Sequence, residues 1–118
     1  MDRFLMRMAK ADIVDVMTYS IGRFPRLKYR RVLMCTGKFQ SPSIERPLLP
    51  KGRAEVRALD GIHSKVWLAW TGRIMEAYVG SFNLTAPTNE NVMVRVDNNK
   101  KEWLLYFDHF WAQGRILS

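Results

Sequence analysis

Apolar residues along the chain switch between two spacings. At the N-terminus, Phe4, Leu5, Met8 and Ala11 recur at three- and four-residue intervals. That spacing lines one face of a helix, so the first ten residues or so read as a short amphipathic helix. Ile13 to Tyr19 is rich in β-branched and aromatic residues and predicts a strand, broken afterwards by Gly22 and Pro25. Tyr29 to Cys35 predicts a second strand. Gly37 to Gly52, with Pro42, Pro47 and Pro50, reads as a loop, longer than the roughly 12–15 residues at which structureless connections become uncommon. Ala54 to Leu59 predicts a third short strand, followed by a turn at Asp60-Gly61. Ile62 to Trp70 predicts a strand of bulky residues, and Thr71-Gly72-Arg73 a hairpin turn into a strand over Ile74 to Val79. Gly80 to Asn89 reads as a loop and Asn91 to Val96 as a strand. Asn99 with Glu102 makes a capping-box-like start to a C-terminal helix. That helix carries Trp103, Leu104, Phe107, Phe110 and Trp111 on one face and ends at Gly114.

Strands therefore dominate, with a helix near each end. The expected architecture is α/β in the α+β sense: one mixed, mostly-strand sheet flanked by helices. The 118 residues fit a single domain spanning 1–118. Six Phe, four Trp and four Tyr supply a strongly aromatic core. A lone cysteine, Cys35, excludes an intrachain disulfide and a cysteine metal cluster, and its apolar neighbours mark it as a core residue.

Charge narrows the partners. Lys and Arg outnumber Asp and Glu by 19 to 11, for a net charge of +8, which suits a polyanion such as nucleic acid. Met1 to Lys10 alternates basic and apolar residues and lacks the apolar core of a signal peptide, and no apolar run approaches the length of a membrane span. A cytoplasmic location without membrane association is the expectation.

The chemistry concentrates after residue 60. On a strand, residues two apart share a face, so His63 and Lys65 project side by side while Ser64 points away. An imidazole can attack phosphorus or carry a proton near neutral pH. A neighbouring lysine neutralises the non-bridging oxygens as charge builds on them. In Gly80-Ser81-Phe82-Asn83 the glycine permits close approach of backbone to a ligand. Ser81 and Asn83 offer neutral hydrogen-bond donors to phosphate. Glu90 supplies a carboxylate able to hold the far nitrogen of a histidine.

The ordered set His63-x-Lys65, Gly80-Ser81-x-Asn83 and Asn89-Glu90-Asn91-Val92 resembles the HKD motif of the phospholipase D-like superfamily. The wording Gly-Ser-Phe-Asn-Leu-Thr at 80–85 resembles its single-motif nuclease branch. The similarity is strongest from Ile62 to Val96 and weaker upstream. One element departs from the pattern: the family's aspartate falls five residues after the lysine, where this chain has Trp70.

The resemblance implies a phospholipase D/nuclease-like fold. It further implies a metal-independent, cofactor-free endonuclease that hydrolyses phosphodiester bonds of DNA, ahead of RNA, through a phosphohistidine. Because the family builds one site from two motifs and this chain has one, it implies a homodimer with the site on its two-fold axis. His63, Lys65, Asn83, Ser81 and Glu90 are the implied catalytic set. For nucleic-acid contacts, Trp67 shares the His63 face and is a candidate either for stacking a base or for core packing. Arg23, Arg26, Lys28, Arg30 and Arg31 form a basic cluster able to track a backbone, with Arg53, Arg57 and Arg73 as further contacts. His109, on the aromatic helix, reads as a structural or surface residue. Two alternatives stand beside the nuclease: an inert nucleic-acid-binding module with the same fold, and a phospholipid phosphodiesterase.

Overall fold

The computed structural model describes residues 2–19, 26–35, 54–83 and 90–117. The predicted loop at 37–52 therefore lies outside the described residues, as do Arg23, Arg53, Asn89 and the breaks at Gly22 and Pro25. Among the described residues, helix α1 spans Asp2–Lys10 and helix α2 spans Lys100–Gln113. The strands are β1 (Ile13–Thr18), β2 (Tyr29–Met34), β3 (Glu55–Ala58), β4 (Val66–Thr71), β5 (Ile74–Gly80), β6 (Met93–Arg95) and β7 (Arg115–Ile116). They form one seven-stranded sheet in the order β6-β5-β4-β1-β2-β3-β7. The run β1-β2-β3 is parallel, and the remaining pairings are antiparallel. The domain is thus α+β with a mixed sheet, as the hydrophobic pattern predicts.

Alternation along the central strands builds two cores, one on each face. Val14 and Val16 of β1, with Val32, Met34, Trp67 and Ala69, pack under Phe4 and Met8 of α1. Met17, Leu33, Val66 and Leu68 point the other way and pack under Phe107 and Trp111 of α2. The spacing Phe4, Met8, Ala11 is the buried stripe of α1, and Phe4 meets Trp67, Tyr78 and Phe82 edge-on at centroid distances of 5.2, 5.1 and 6.0 Å.

A charged group breaks the apolar pattern of the centre. Asp15 is fully buried, and a register shift between Val14 and Asp15 sets two β2 residues, Arg30 and Arg31, beside it. Its carboxylate accepts from both guanidinium groups and from the Arg31 amide. Arg31 continues to Asp108 of α2 at 2.7 Å and lies 4.6 Å over the Phe107 ring, which ties sheet to helix. A buried carboxylate needs this neutralisation, because an unpaired buried charge is strongly destabilising.

Several boundaries differ from the sequence expectation. Residues 62–65 are not part of a strand; β4 starts at Val66. The capping box does not form: Asn99 makes no side-chain cap, and its carbonyl accepts from the Trp103 amide instead. Gly114 ends α2 with extended rather than left-handed backbone, which feeds the chain into β7. That two-residue strand, unpredicted, covers the edge of β3.

Candidate active site

Three chain segments meet where β1 ends, β4 begins and β5 ends. The order β5-β4-β1 makes them neighbours: the Gly80 amide donates to the Lys65 carbonyl at 3.4 Å. The carboxyl ends of the parallel strands are the place where open mixed sheets carry ligand sites, because the diverging connections leave a crevice there.

His63 is exposed and Lys65 half-buried, both on the irregular lead-in to β4. Lys65 Nζ donates to the His63 carbonyl at 2.9 Å and lies 3.3 Å from His63 Nδ1. The side-by-side arrangement expected of a strand is therefore realised, but by a hydrogen-bonded turn-in of the lysine rather than by strand pleating. A lysine donor at Nδ1 leaves the ring proton of a neutral imidazole on Nε2. Partial burial costs the ammonium some of its hydration and lowers the Lys65 pKa from the ordinary 10.5.

Asn83 is half-buried, and its Oδ1 accepts from the Tyr19 amide at 2.9 Å and from Thr18 Oγ1 at 3.1 Å. With the oxygen held by β1, the amide orientation is fixed. Tyr19 is the residue that sequence reasoning missed. Its ring lies 4.8 Å from the His63 ring and 5.8 Å from Lys65 Nζ, while its backbone holds Asn83. Nothing in a one-dimensional reading separates it from the other aromatics at strand ends; only strand order brings it to the site.

Ser81 has another placement. Ser81 Oγ accepts from the Val92 amide, and the Ser81 amide donates to the Val92 carbonyl, both at 2.9 Å. Ser81 thereby clamps the chain entering β6 to the end of β5. Glu90 is exposed, at the turn preceding β6. Gly80 does allow a close backbone approach, but to its own chain: a Cβ there would overlap the Val92 carbonyl oxygen and sit 2.9 Å from Met93 Sδ.

Trp67 requires a correction. It is fully buried and stacks on Phe82 at 5.2 Å, with Nε1 donating to the Phe82 carbonyl at 3.1 Å. It is closed to a base from solvent because α1 covers that face of the sheet. Its contact instead anchors the residue preceding Asn83, so its effect on the site is one of positioning. Arg31 is corrected as well, since its guanidinium is committed to Asp15 and Asp108. Arg30 pairs with Asp15, leaves 45% of its side chain exposed and lies 4.6 Å over Trp70. Arg57 donates to the Trp111 carbonyl and pairs with Glu55. Arg26, Lys28 and Arg73 are exposed. Trp70 sits near the far end of β4, paired with Ile13 and Met75, five residues or about 16 Å along the strand from Lys65. His109 is exposed and lies 2.9 Å from the Gln113 amide nitrogen.

On the α2 side of His63 a cavity of about 290 Å³ opens between the Asp60–Ser64 segment and the aromatic helix. Among the described residues no group of three or more His, Cys, Asp or Glu is arranged to hold a metal ion, and no helix is long and apolar enough to cross a membrane. No family model and no curated protein matches the chain.

Proposed function

We propose that this protein is a phospholipase D-like nuclease that hydrolyses phosphodiester bonds in nucleic acid at a site shared by two copies of the chain. The carrying observation is the His63–Lys65 contact, 3.3 Å between Nδ1 and Nζ, beside Tyr19, whose amide donates to Asn83 Oδ1. A nucleophile, a cation and a neutral donor are the groups that phosphoryl transfer at histidine needs. The charge of +8 supports a polyanionic substrate.

In this reading an incoming phosphate competes for Lys65 Nζ. As the lysine turns to the non-bridging oxygens it releases His63 Nδ1, and the ring proton can then reside there, leaving the Nε2 lone pair free to attack. A P–N bond forms and the P–O bond to the leaving strand breaks. His63 of the second copy gives its proton to the departing oxygen. That same histidine then takes a proton from water, whose oxygen displaces the first histidine from phosphorus. The Asn83 amide orients the phosphate, and Trp67 and Tyr19 hold Asn83 and His63 in register. The aspartate replaced by Trp70 would lie too far along β4 to take part in these steps.

The test is cleavage of supercoiled plasmid and of a labelled single strand in EDTA, by wild type and His63→Ala in parallel. Wild type alone should cut. Equal cutting by both would sink the assignment of His63. Binding without cutting by either would establish an inert binding module.

A further inference from the structure

The cavity beside His63 has a composition unlike that of a phosphate site. Its walls are Tyr106 and Phe110 of α2, its floor is Met17 and Ile62, and its rim is formed by Asp60 and Gln113. Among the described residues no lysine or arginine lines it. The ammonium of Lys65 lies at His63 itself, outside this lining. The aromatic walls are firmly held: Tyr106 and Phe110 meet edge-on at 4.8 Å, and the Tyr106 hydroxyl is 2.8 Å from Ser64 Oγ. The volume, about 290 Å³, stands just below the roughly 300–1,000 Å³ of sites for drug-sized ligands, which suits a smaller group such as one base.

We propose that this cavity receives one unpaired nucleobase next to the scissile phosphate, stacked against the aromatic wall of Tyr106 and Phe110. The inference rests on the nuclease reading for the phosphate's position and adds the substrate class to it. A base inside a duplex is stacked and paired on both sides and cannot enter, so the site takes single-stranded or frayed nucleic acid. The division of labour follows from chemistry: Lys65 takes the anionic backbone, and the uncharged planar base goes to the aromatic-walled cavity. Base–aromatic stacking tolerates any base, because every base presents a π-face.

The test uses the full chain carrying His63→Gln, which prevents turnover, and short single strands with one abasic position moved along the length. One abasic position should weaken binding roughly 5- to 100-fold, and 2-aminopurine at that same position should be quenched on binding. Phe110→Leu, which keeps an apolar side chain of similar bulk, should remove both effects with little change in melting temperature, and Phe110→Trp should restore them. Equal affinity for every abasic position, or quenching that survives Phe110→Leu, overturns the cavity assignment. Plasmid and single-strand cutting by wild type separates the two readings. Cutting without a preferred base position rejects the cavity alone. A preferred position without cutting rejects the nuclease and leaves a base-binding pocket.

Discussion

Replacing Gly80 by alanine should be far more costly than its one methyl suggests. The added Cβ would overlap the Val92 carbonyl oxygen and lie 2.9 Å from Met93 Sδ. That oxygen belongs to backbone and must retreat on the order of 1 Å to reach the ~3.3 Å at which carbon and carbonyl oxygen ordinarily meet. The same carbonyl accepts from the Ser81 amide at 2.9 Å, and the Val92 amide donates to Ser81 Oγ at 2.9 Å. Weakening both bonds costs about 1–3 kcal/mol, and overpacking costs a further ~1–3 kcal/mol. A total of about 3 kcal/mol is a large part of the roughly 5–15 kcal/mol by which domains are stable. It corresponds to a fall in Tm of about 12 °C for a chain of this size. Gly72→Ala is the control in the neighbouring turn. Its φ is +61° and a Cβ there would meet nothing within 4 Å, so only conformational strain of about 1 kcal/mol is expected. Urea and thermal unfolding followed by circular dichroism read both variants. Hydrogen exchange should show lost protection at the Ser81 and Val92 amides of Gly80→Ala. A Gly80→Ala stability within about 0.5 kcal/mol of wild type, or no greater than the loss in Gly72→Ala, would refute the close-approach argument.

Three further outcomes follow from the same contacts. Asp15→Ala strands Arg31 against the aromatic face of α2 and should cost about 3 kcal/mol in urea unfolding, the low end for a broken buried pair because Arg30 keeps a route to water; Asp15→Leu combined with Arg31→Met should recover most of it, and a harmless Asp15→Ala would show the network contributes nothing. Trp67→Phe removes the donor to the Phe82 carbonyl and should lower stability by about 2 kcal/mol while leaving single-strand affinity within twofold of wild type; a large selective loss of affinity would return Trp67 to the role of a stacking platform. For pH, burial lowers the Lys65 pKa, so its positive charge is lost on the alkaline side at lower pH than for an ordinary lysine. Phosphodiester cleavage should therefore decline as pH rises before the usual lysine range. Lys65→Arg should carry the decline to higher pH, and an unmoved alkaline limb would assign it to another group.

Much of the fold was legible because it depends on local periodicity. The stripe Phe4, Met8, Ala11, the alternation in β1 and β2, and the turns at Gly61 and Gly72 each express a geometry that a few consecutive residues dictate. The same holds for the closeness of His63 to Lys65, which are two residues apart. The sequence could also mark Gly80, Ser81 and Asn83 as a set, but not divide their roles. Ser81 and Gly80 turn out to serve the β5–β6 junction, and only Asn83 reaches toward β1.

What the chain alone determined is the inventory: elements, charge, and the residue types able to handle phosphate. What the tertiary structure decided is adjacency. Strand order β5-β4-β1 brought Tyr19 to His63 across 44 residues of sequence. Packing of α1 closed Trp67 off from solvent although its spacing from His63 and Lys65 suggested a shared face. The bulge opposite Asp15 turned Arg31 from an apparent surface cation into the partner of a buried carboxylate. Each of these depends on which segments the sheet sets side by side, and that choice is made by burial summed over the whole domain, which no local window of sequence contains.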